Sequence, residues 1–134
     1  MSIAKIRAAL ETRLGTLTPA LGTAYENAAF TPVAGTPYQR CYVLPARTVS
    51  VGQDLRTRQL TGIFQVSLFY PVNGGPSLVQ ARADLLCNHF AAGTRLLFSG
   101  VRVNVDEPPS IATGFVDGDR FVVPVSIRYI AFIS

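Results

Sequence analysis

The start of the chain has an apolar residue at every third or fourth position, with charged residues between them. The apolar series is Ile3, Ile6, Leu10, Leu14 and Leu17. Because this spacing places the apolar side chains on one face, it predicts an amphipathic helix over residues 2–17. Ser2 is a suitable N-cap, and Gly15 followed by Pro19 predicts where the helix ends.

Later parts of the chain alternate apolar and polar residues instead, and are rich in β-branched and aromatic side chains, a pattern typical of strands. The three long alternating segments are residues 38–44, 60–70 and 121–133. Pro45 predicts the end of the first. Pro124 has no N–H for a ladder, so its end of the last strand is expected at a sheet edge or a bulge. Shorter strands are predicted over residues 95–98 and 101–105.

A second helix is predicted over residues 77–92, between an Asn-Gly-Gly-Pro turn and Gly93. Its expected buried face is Leu78, Ala81, Leu85, Leu86 and Phe90. Residues 20–37 are rich in Ala, Thr, Gly and Pro, and are expected to be mostly a connection with room for one short strand. Residues 106–119 are expected to form a polar loop.

The order helix, strand, strand, helix, strand, strand predicts the fold class. It favours an α+β fold with a mainly antiparallel, in part mixed, sheet and both helices packed on one face. With 134 residues and no repeat or low-complexity tail, the chain is expected to form one domain over residues 1–134.

The long strands also carry apolar residues on the face turned away from the helices. These include Ile63, Phe69, Ile130 and Phe132. Of all residues 49% are apolar and only 15% are charged, so charged side chains cannot cover the apolar surface. A neighbouring subunit is therefore expected to cover the second face of the sheet.

The net charge of +4 is modest, and its densest part is the polar span of residues 47–58. Arg47, Arg56 and Arg58 lie there, together with Asp54. Arginine is favoured at protein interfaces because its planar, weakly hydrated guanidinium pairs with carboxylates and stacks on rings. The span is predicted to be a protruding loop or flared hairpin tip that contacts another subunit. Binding of duplex DNA as the main activity is disfavoured, since the basic residues do not cluster strongly.

No pattern for catalysis or metal binding is present. His89 is the only histidine, and a surface or capping role near the end of the second helix explains it better than catalysis. Cys41 and Cys87 are expected to be separate reduced thiols, with no zinc-ligand spacing. The acidic residues of the last loop could hold a cation, but their spacing matches no calcium loop, so solvated carboxylates are favoured. Those residues are Asp106, Glu107, Asp117 and Asp119. No enzyme activity, cofactor or metal is expected.

The apolar stretches are too short and too interrupted for a membrane-spanning helix, and the first 14 residues lack the apolar core of a secretion signal. No membrane partner is expected. The protein is predicted to remain in the cytoplasm in which it is made.

Several short motifs, in this order, resemble those of phage tail-terminator and minor-tail proteins of the lambda U-like kind. The motifs are Ile3-x-x-Ile6-x-x-x-Leu10, Tyr25-Glu26-Asn27-x-x-Phe30-x-Pro32, Gly62-x-Phe64-Gln65-Val66 leading to Pro71-x-Asn73-Gly74-Gly75, His89-Phe90-x-x-Gly93 and Val123-Pro124-Val125-Ser126-Ile127-x-Tyr129. The resemblance spans nearly the whole chain. It departs at Ala24-Tyr25, where a Trp-Pro pair would be expected before Glu26.

The resemblance implies a structural virion protein that forms a ring, typically a hexamer, on the head-proximal end of the tail tube. Such a ring ends tube polymerisation and prepares head–tail joining. The implied partners are further copies of the chain, the major tail tube protein and head–tail connector proteins. Candidate subunit or lumen contacts are Arg47, Asp54, Arg56, Arg58, Pro124 and Phe132, and the arginines are candidates for non-specific contact with passing DNA.

Two alternatives stay open at this point. One is a head–tail connector or neck component, which the sequence does not distinguish from a terminator. The other is a small nucleic-acid-binding α+β domain that uses the arginines of residues 47–58.

Overall fold

The computed structural model describes residues 3–51 and 57–133, with side chains for residues 3–46 and 59–132. The elements in chain order are α1 (Ile3–Gly15), β1 (Gly22–Ala24), β2 (Tyr38–Val51), β3 (Thr57–Pro71), α2 (Ser77–His89), β4 (Arg95–Phe98), β5 (Val101–Val105), β6 (Ser110–Ile111), β7 (Phe115–Asp117) and β8 (Arg120–Ile133). The fold is α+β, as the order of sequence patterns predicts. The additional strands β1, β6 and β7 have only two or three residues each, too few to show a periodicity.

One mixed sheet holds all the described strands. Its main order is β1-β2-β3-β8-β5-β4, while β6 and β7 pair with β8. Only the β1–β2 pair is parallel, and all the other pairs are antiparallel. The long strands β3 and β8 pair from Arg58 opposite Ile133 to Pro71 opposite Arg120, so they form the centre of the sheet.

Both helices pack on the same face of the sheet and share one core with it. From α1 the core takes Ile6, Leu10 and Leu14, which are members of the predicted apolar series. The strands contribute alternate residues of β3, β5 and β8, such as Phe64 and Ile127, which lie opposite each other. Within the described residues, neither helix is long and apolar enough to cross a membrane.

The buried face of α2 differs in part from the predicted one: Leu86 and Phe90 are buried as predicted, but the other three predicted residues are not. Val79, Arg82, Ala83 and Leu86 are buried, and Phe90 just beyond the helix is buried as well. Leu78, Ala81 and Leu85 are exposed. The two apolar series are neighbours on the helix surface, and Arg82 interrupts the one that is buried. Its guanidinium donates a hydrogen bond to the carbonyl oxygen of Pro19, which gives the charged group a partner under the helix.

The prediction that the first long strand ends at Pro45 is wrong. The strand continues to Val51, past an irregularity between Pro45 and Arg47. Pro45 is tolerated because β1 pairs with β2 only as far as Arg40, so no described strand needs a donor from Pro45 on that side. Opposite Pro45 lies Gly62. A Cβ atom at Gly62 would come within 2.5 Å of the Leu44 carbonyl oxygen and of the Tyr129 hydroxyl, so this close approach requires glycine.

Pro124 does not lie at a sheet edge, which corrects the prediction for its end of the strand. It pairs with Ser67 of β3, and its carbonyl oxygen accepts a hydrogen bond from the Ala112 N–H on the other side. The N–H and C=O of one residue in an antiparallel strand point to the same neighbour. Pro124 therefore turns the position of its missing N–H toward the gap between β6 and β7, where neither strand pairs with β8.

Candidate assembly surfaces

The face of the sheet turned away from the helices, called the outer face here, is covered at one end by the chain itself. Tyr38, Phe69 and Val122 form a row across this end. The Tyr38 and Phe69 rings stack with centroids 4.7 Å apart, and Phe30 packs on Tyr38 at 5.2 Å. Tyr38 and Val122 are buried. We call this region the covered end of the sheet.

Arg120 holds the covering segment, residues 30–37, in place. Its side chain is only 5% exposed. The guanidinium donates hydrogen bonds to the carbonyl oxygens of Val33, at 2.7 Å, and Thr36, and it lies 5.0 Å from the centre of the Tyr38 ring. At this end, the cover expected from a neighbouring subunit is supplied by the chain's own connection between β1 and β2.

The opposite end of the outer face has no such cover among the described residues. One row across it consists of Val49, Gln59, Phe132, Arg102 and Leu97. Phe132 is half-buried, Arg102 is exposed, and Leu97 is 74% exposed. We call this region the open end of the sheet. An apolar side chain as exposed as Leu97 on an outer strand marks a candidate contact with another protein.

The free edge of β2 is protected next to β1. The Glu26 carboxylate accepts a hydrogen bond of 2.6 Å from the Val43 N–H and one of 2.9 Å from the Arg7 guanidinium. Burial alone would raise the pKa of Glu26, but these two hydrogen bonds outweigh it and lower the pKa below its ordinary value. Two residues further on, Pro45 presents no N–H at all. A strand from another molecule therefore finds no free donor at these positions.

Burial dominates the other ionisable groups of this cluster. It raises the pKa of Glu11, although Arg7 works in the opposite direction. Burial also raises the pKa of the Cys41 thiol to about 12, so Cys41 is a protonated core residue rather than a nucleophile. The pKa of Cys87 is raised by burial as well.

A separate apolar groove of about 360 Å³ lies beyond the covered end, between the turn that precedes α2 and strand β7. Its lining includes Val72, Pro76, Val116 and Phe121. Val116 is 66% exposed. None of the lining residues carries a charge. The sequence did not indicate the groove, because loop residues give no distinct signal, and its pattern assigned the exposed α2 residues Leu78 and Leu85 to the buried face.

The residues predicted as subunit or lumen contacts are placed apart. Arg47 lies in β2 opposite Thr61, and Arg58 lies in β3 opposite Ile133, so both lie at the same end of the strands as Phe132. Because successive strand positions alternate between the two faces, Arg58 does not share the row of Gln59 and Phe132. Pro124 is half-buried on the outer face, eight residues from Phe132 along β8, which is roughly 27 Å at about 3.4 Å per residue. Asp54 and Arg56 lie outside the described residues.

The remaining candidates for chemistry have structural contacts. His89 Nε2 lies 2.7 Å from the Arg13 carbonyl oxygen and 2.9 Å from Thr16 Oγ1, while the Arg13 guanidinium donates to the His89 carbonyl oxygen. These contacts join the last turns of α1 and α2, in line with the capping role. Among the acidic residues, Glu107 pairs with Arg128 at 3.4 Å. The described part of the chain contains no group of three or more His, Cys, Asp or Glu side chains placed to hold a metal ion.

Comparison with known proteins gives three findings. The family model described as "Phage tail terminator protein" matches residues 5–129. A solved structure whose title gives no functional description is 34% identical, with a TM-score of 0.78, and the match covers 98% of this chain and 96% of that one. A chain of a solved structure titled "Virion of native gene transfer agent (GTA) particle" is 17% identical with a TM-score of 0.65, over 98% of this chain and 100% of that one, which is a likeness of fold. No curated protein sequence matches.

Proposed function

The chain belongs to the phage tail terminator family, and from that premise we propose that it forms a ring that caps the head-proximal end of the tail tube. The ring ends tube polymerisation and offers a surface for head–tail joining. The protein acts by assembly rather than by catalysis, and its place is the virion after assembly in the host cytoplasm. A hexamer is the proposed ring, and the chain functions as one domain.

The observation that carries this proposal is the separation of the exposed apolar side chains into distinct patches. One patch is Leu97 and Phe98 on the outer strand β4, a second is the groove around Val116, and a third is Leu78 and Leu85 on α2. A ring between two other structures needs two different lateral contacts and one contact with each axial partner. Three separate apolar patches fit a ring with several different contacts, whereas a symmetric dimer needs only one.

The residues proposed as contacts are assigned to the next subunit in the ring or to the DNA that passes through it. Arg47, Arg58 and Phe132 lie at the end of the sheet that is left open and contact the next subunit, and Asp54 and Arg56, which lie between β2 and β3 in the sequence, are proposed as further contacts. Pro124 lies nearer the middle of the outer face and is proposed as a further contact. The arginines also tolerate DNA that passes through the ring, by contacts with phosphates that do not read the base sequence.

Loss of the gene in the parent phage, followed by electron microscopy of the tails, tests the proposal. Without a terminator, tail tubes are expected to grow to irregular and greater lengths, and adding the purified protein during assembly is expected to restore a uniform length. Tails of normal length in its absence would falsify the terminator role. If those normal tails also fail to join heads, the protein is instead a connector.

A further inference from the structure

The outer edge of β4 is open. β4 pairs with β5 on one side, and no described strand pairs with its other side. In an antiparallel hairpin closed by a two-residue turn, here Ser99-Gly100, alternate residues direct their N–H and C=O groups outward. The Val105 N–H bonds to the Thr94 carbonyl oxygen, which fixes the alternation. The outward residues are therefore Arg95 and Leu97. Neither is proline, and Leu97 is largely exposed.

The last part of β2 is open in the same way. β1 pairs with β2 only at residues 38–40, and the Glu26 carboxylate and Pro45 protect the next positions. Beyond the irregularity at Pro45, residues 47–51 pair with β3 on one side, and no described strand pairs with their other side. This open segment has five residues, and β4 has four, so the two segments are of similar length.

These two open segments lie at opposite sides of the sheet but at the same level along the strands. Following the pairing across the sheet gives one row of Leu97, Arg102, Phe132, Gln59 and Val49. The next row on the same face, two residues along each strand, is Arg95, Asn104, Ile130, Thr61 and Arg47. β2 and β4 also run in the same direction, because four antiparallel pairings separate them.

We propose that β4 of one copy adds to residues 47–51 of β2 in the next copy, as a parallel strand that continues the sheet across the subunit boundary. This inference rests on the proposed ring and names its lateral contact. The contact joins two different surfaces, as a ring requires. Because the two segments lie level, successive copies follow one another without a step along the strands, and the series closes instead of climbing into a helix.

Two features of the sheet agree with a parallel addition at this edge. β1 already pairs with β2 in parallel on the same side, so β4 of the next copy would continue the row that β1 begins. The addition also gives partners to the outward N–H and C=O groups of Arg95 and Leu97, and it buries the Leu97 side chain. The protected part of β2 lies between these two pairings, which sets where the incoming strand begins.

Cysteine cross-linking between copies is the direct test. The full chain carries Leu97→Cys and Val49→Cys, in a background in which Cys87→Ala removes the half-buried native thiol. Neighbouring strands lie about 5 Å apart, within the span of a disulfide. Under mild oxidation we expect a ladder of covalent multimers up to the full ring. The matched control carries Leu78→Cys with Val49→Cys, since Leu78 is 68% exposed but lies on α2, away from the sheet edges. Cross-linking no stronger than in this control overturns the proposal.

A second pair of variants separates main-chain pairing from side-chain contact. Leu97→Pro removes the outward N–H while leaving the β4–β5 hydrogen bonds intact, and Leu97→Thr keeps the N–H while removing the apolar side chain. We expect Leu97→Pro to weaken ring formation at least tenfold in sedimentation, with a smaller effect of Leu97→Thr. A folded Leu97→Pro protein that assembles like the original chain overturns the inference. If Leu97→Pro does not fold, the cysteine pairs decide alone.

The same experiments distinguish failure of the inference from failure of the proposed function. Normal tail lengths without the gene contradict the terminator role, whatever the cysteine pairs give. Rings that form on tails while the Leu97 and Val49 cysteines stay unlinked leave the terminator role standing and overturn only the strand pairing.

Discussion

The two ends of the sheet are built from similar alternating strands but are finished differently. At the covered end, the chain closes its own outer face with residues 30–37 and protects the edge of β2 with a carboxylate and a proline. At the open end, Phe132 is half-buried, Leu97 is largely exposed, and two strand segments have an unpaired side among the described strands. An unprotected edge invites strand pairing with another molecule. The chain therefore contains the means to protect an edge and uses them at one end only.

The largest expected effect is at Gly62, where the protected part of β2 meets the open part. Gly62→Ala places a methyl group against the Leu44 carbonyl oxygen and the Tyr129 hydroxyl, so the strands must move apart. We expect a loss of about 3 kcal/mol in the free energy of unfolding, measured by chemical denaturation. Gly74→Ala is the matched control, because a methyl group there meets nothing closer than 3.6 Å. Equal stability of the two variants would contradict the close approach.

The next largest loss of stability is expected at Arg120, in the covered end of the sheet. Arg120→Met keeps the length of the side chain but removes its hydrogen bonds to the carbonyl oxygens of Val33 and Thr36. We expect a loss of about 2 kcal/mol and faster amide hydrogen exchange in residues 30–37. Arg102→Met, an exposed arginine of the open end, is the control and should change stability by less than about 0.5 kcal/mol. Unchanged exchange in residues 30–37 would show that Arg120 does not hold them.

A smaller effect is expected at the protected edge. Glu26→Gln can still accept a hydrogen bond from the Val43 N–H but loses the charge that attracts Arg7. We expect a loss of about 1 kcal/mol at pH 7. Glu107→Gln serves as the control, since Glu107 pairs with Arg128 in an exposed position.

The difference between Glu26→Gln and the original chain should depend on pH. The pKa of Glu26 is lowered in the folded state, so its stabilising effect is present above the unfolded pKa of about 4.3 and is lost as the pH falls through the lowered value. Unfolding at pH 7 and at pH 3 measures this. A stability difference of the same size at both pH values would refute the role given to the carboxylate.

The smallest effect on stability is expected at Leu97. It tests most directly whether the open end of the sheet is unpacked in the isolated chain. Because this side chain is largely exposed in the isolated chain, Leu97→Lys should change the free energy of unfolding of the monomer by less than about 0.5 kcal/mol. Leu96→Lys is the control, because Leu96 packs against the core and its replacement should cost clearly more. A large destabilisation by Leu97→Lys would mean that the open end is packed within the monomer.

The alternating segments predicted the central strands, because a period of two over ten or more residues has one structural solution. The sequence did not determine which of two apolar stripes α2 buries. Leu78, Ala81 and Leu85 form as regular a series as Val79, Ala83 and Leu86, and the charge of Arg82 argued against the series that is buried. Its burial depends on the Pro19 carbonyl oxygen, which lies far away in the sequence.

The edges of the sheet were still harder to predict. Pro124 suggested an edge by its missing N–H, but the interval between β6 and β7 accommodates it inside the sheet. The apolar outer faces were recognised, yet the pattern alone could not divide them into a part covered by residues 30–37 and a part left open. That division depends on Arg120 reaching a connection more than eighty residues earlier in the chain.

The way in which Arg120 holds the covering segment bears on how this protein can change over time. The guanidinium binds main-chain carbonyl oxygens, which every residue type provides, so these two hydrogen bonds do not depend on the side chains of Val33 and Thr36. Val33, which is held in this manner, points its side chain largely into solvent. Substitutions at an exposed position such as Val33 are therefore free to follow changes in whatever that surface meets, without loosening the sheet beneath, whereas the positive φ of Gly35 restricts its replacement.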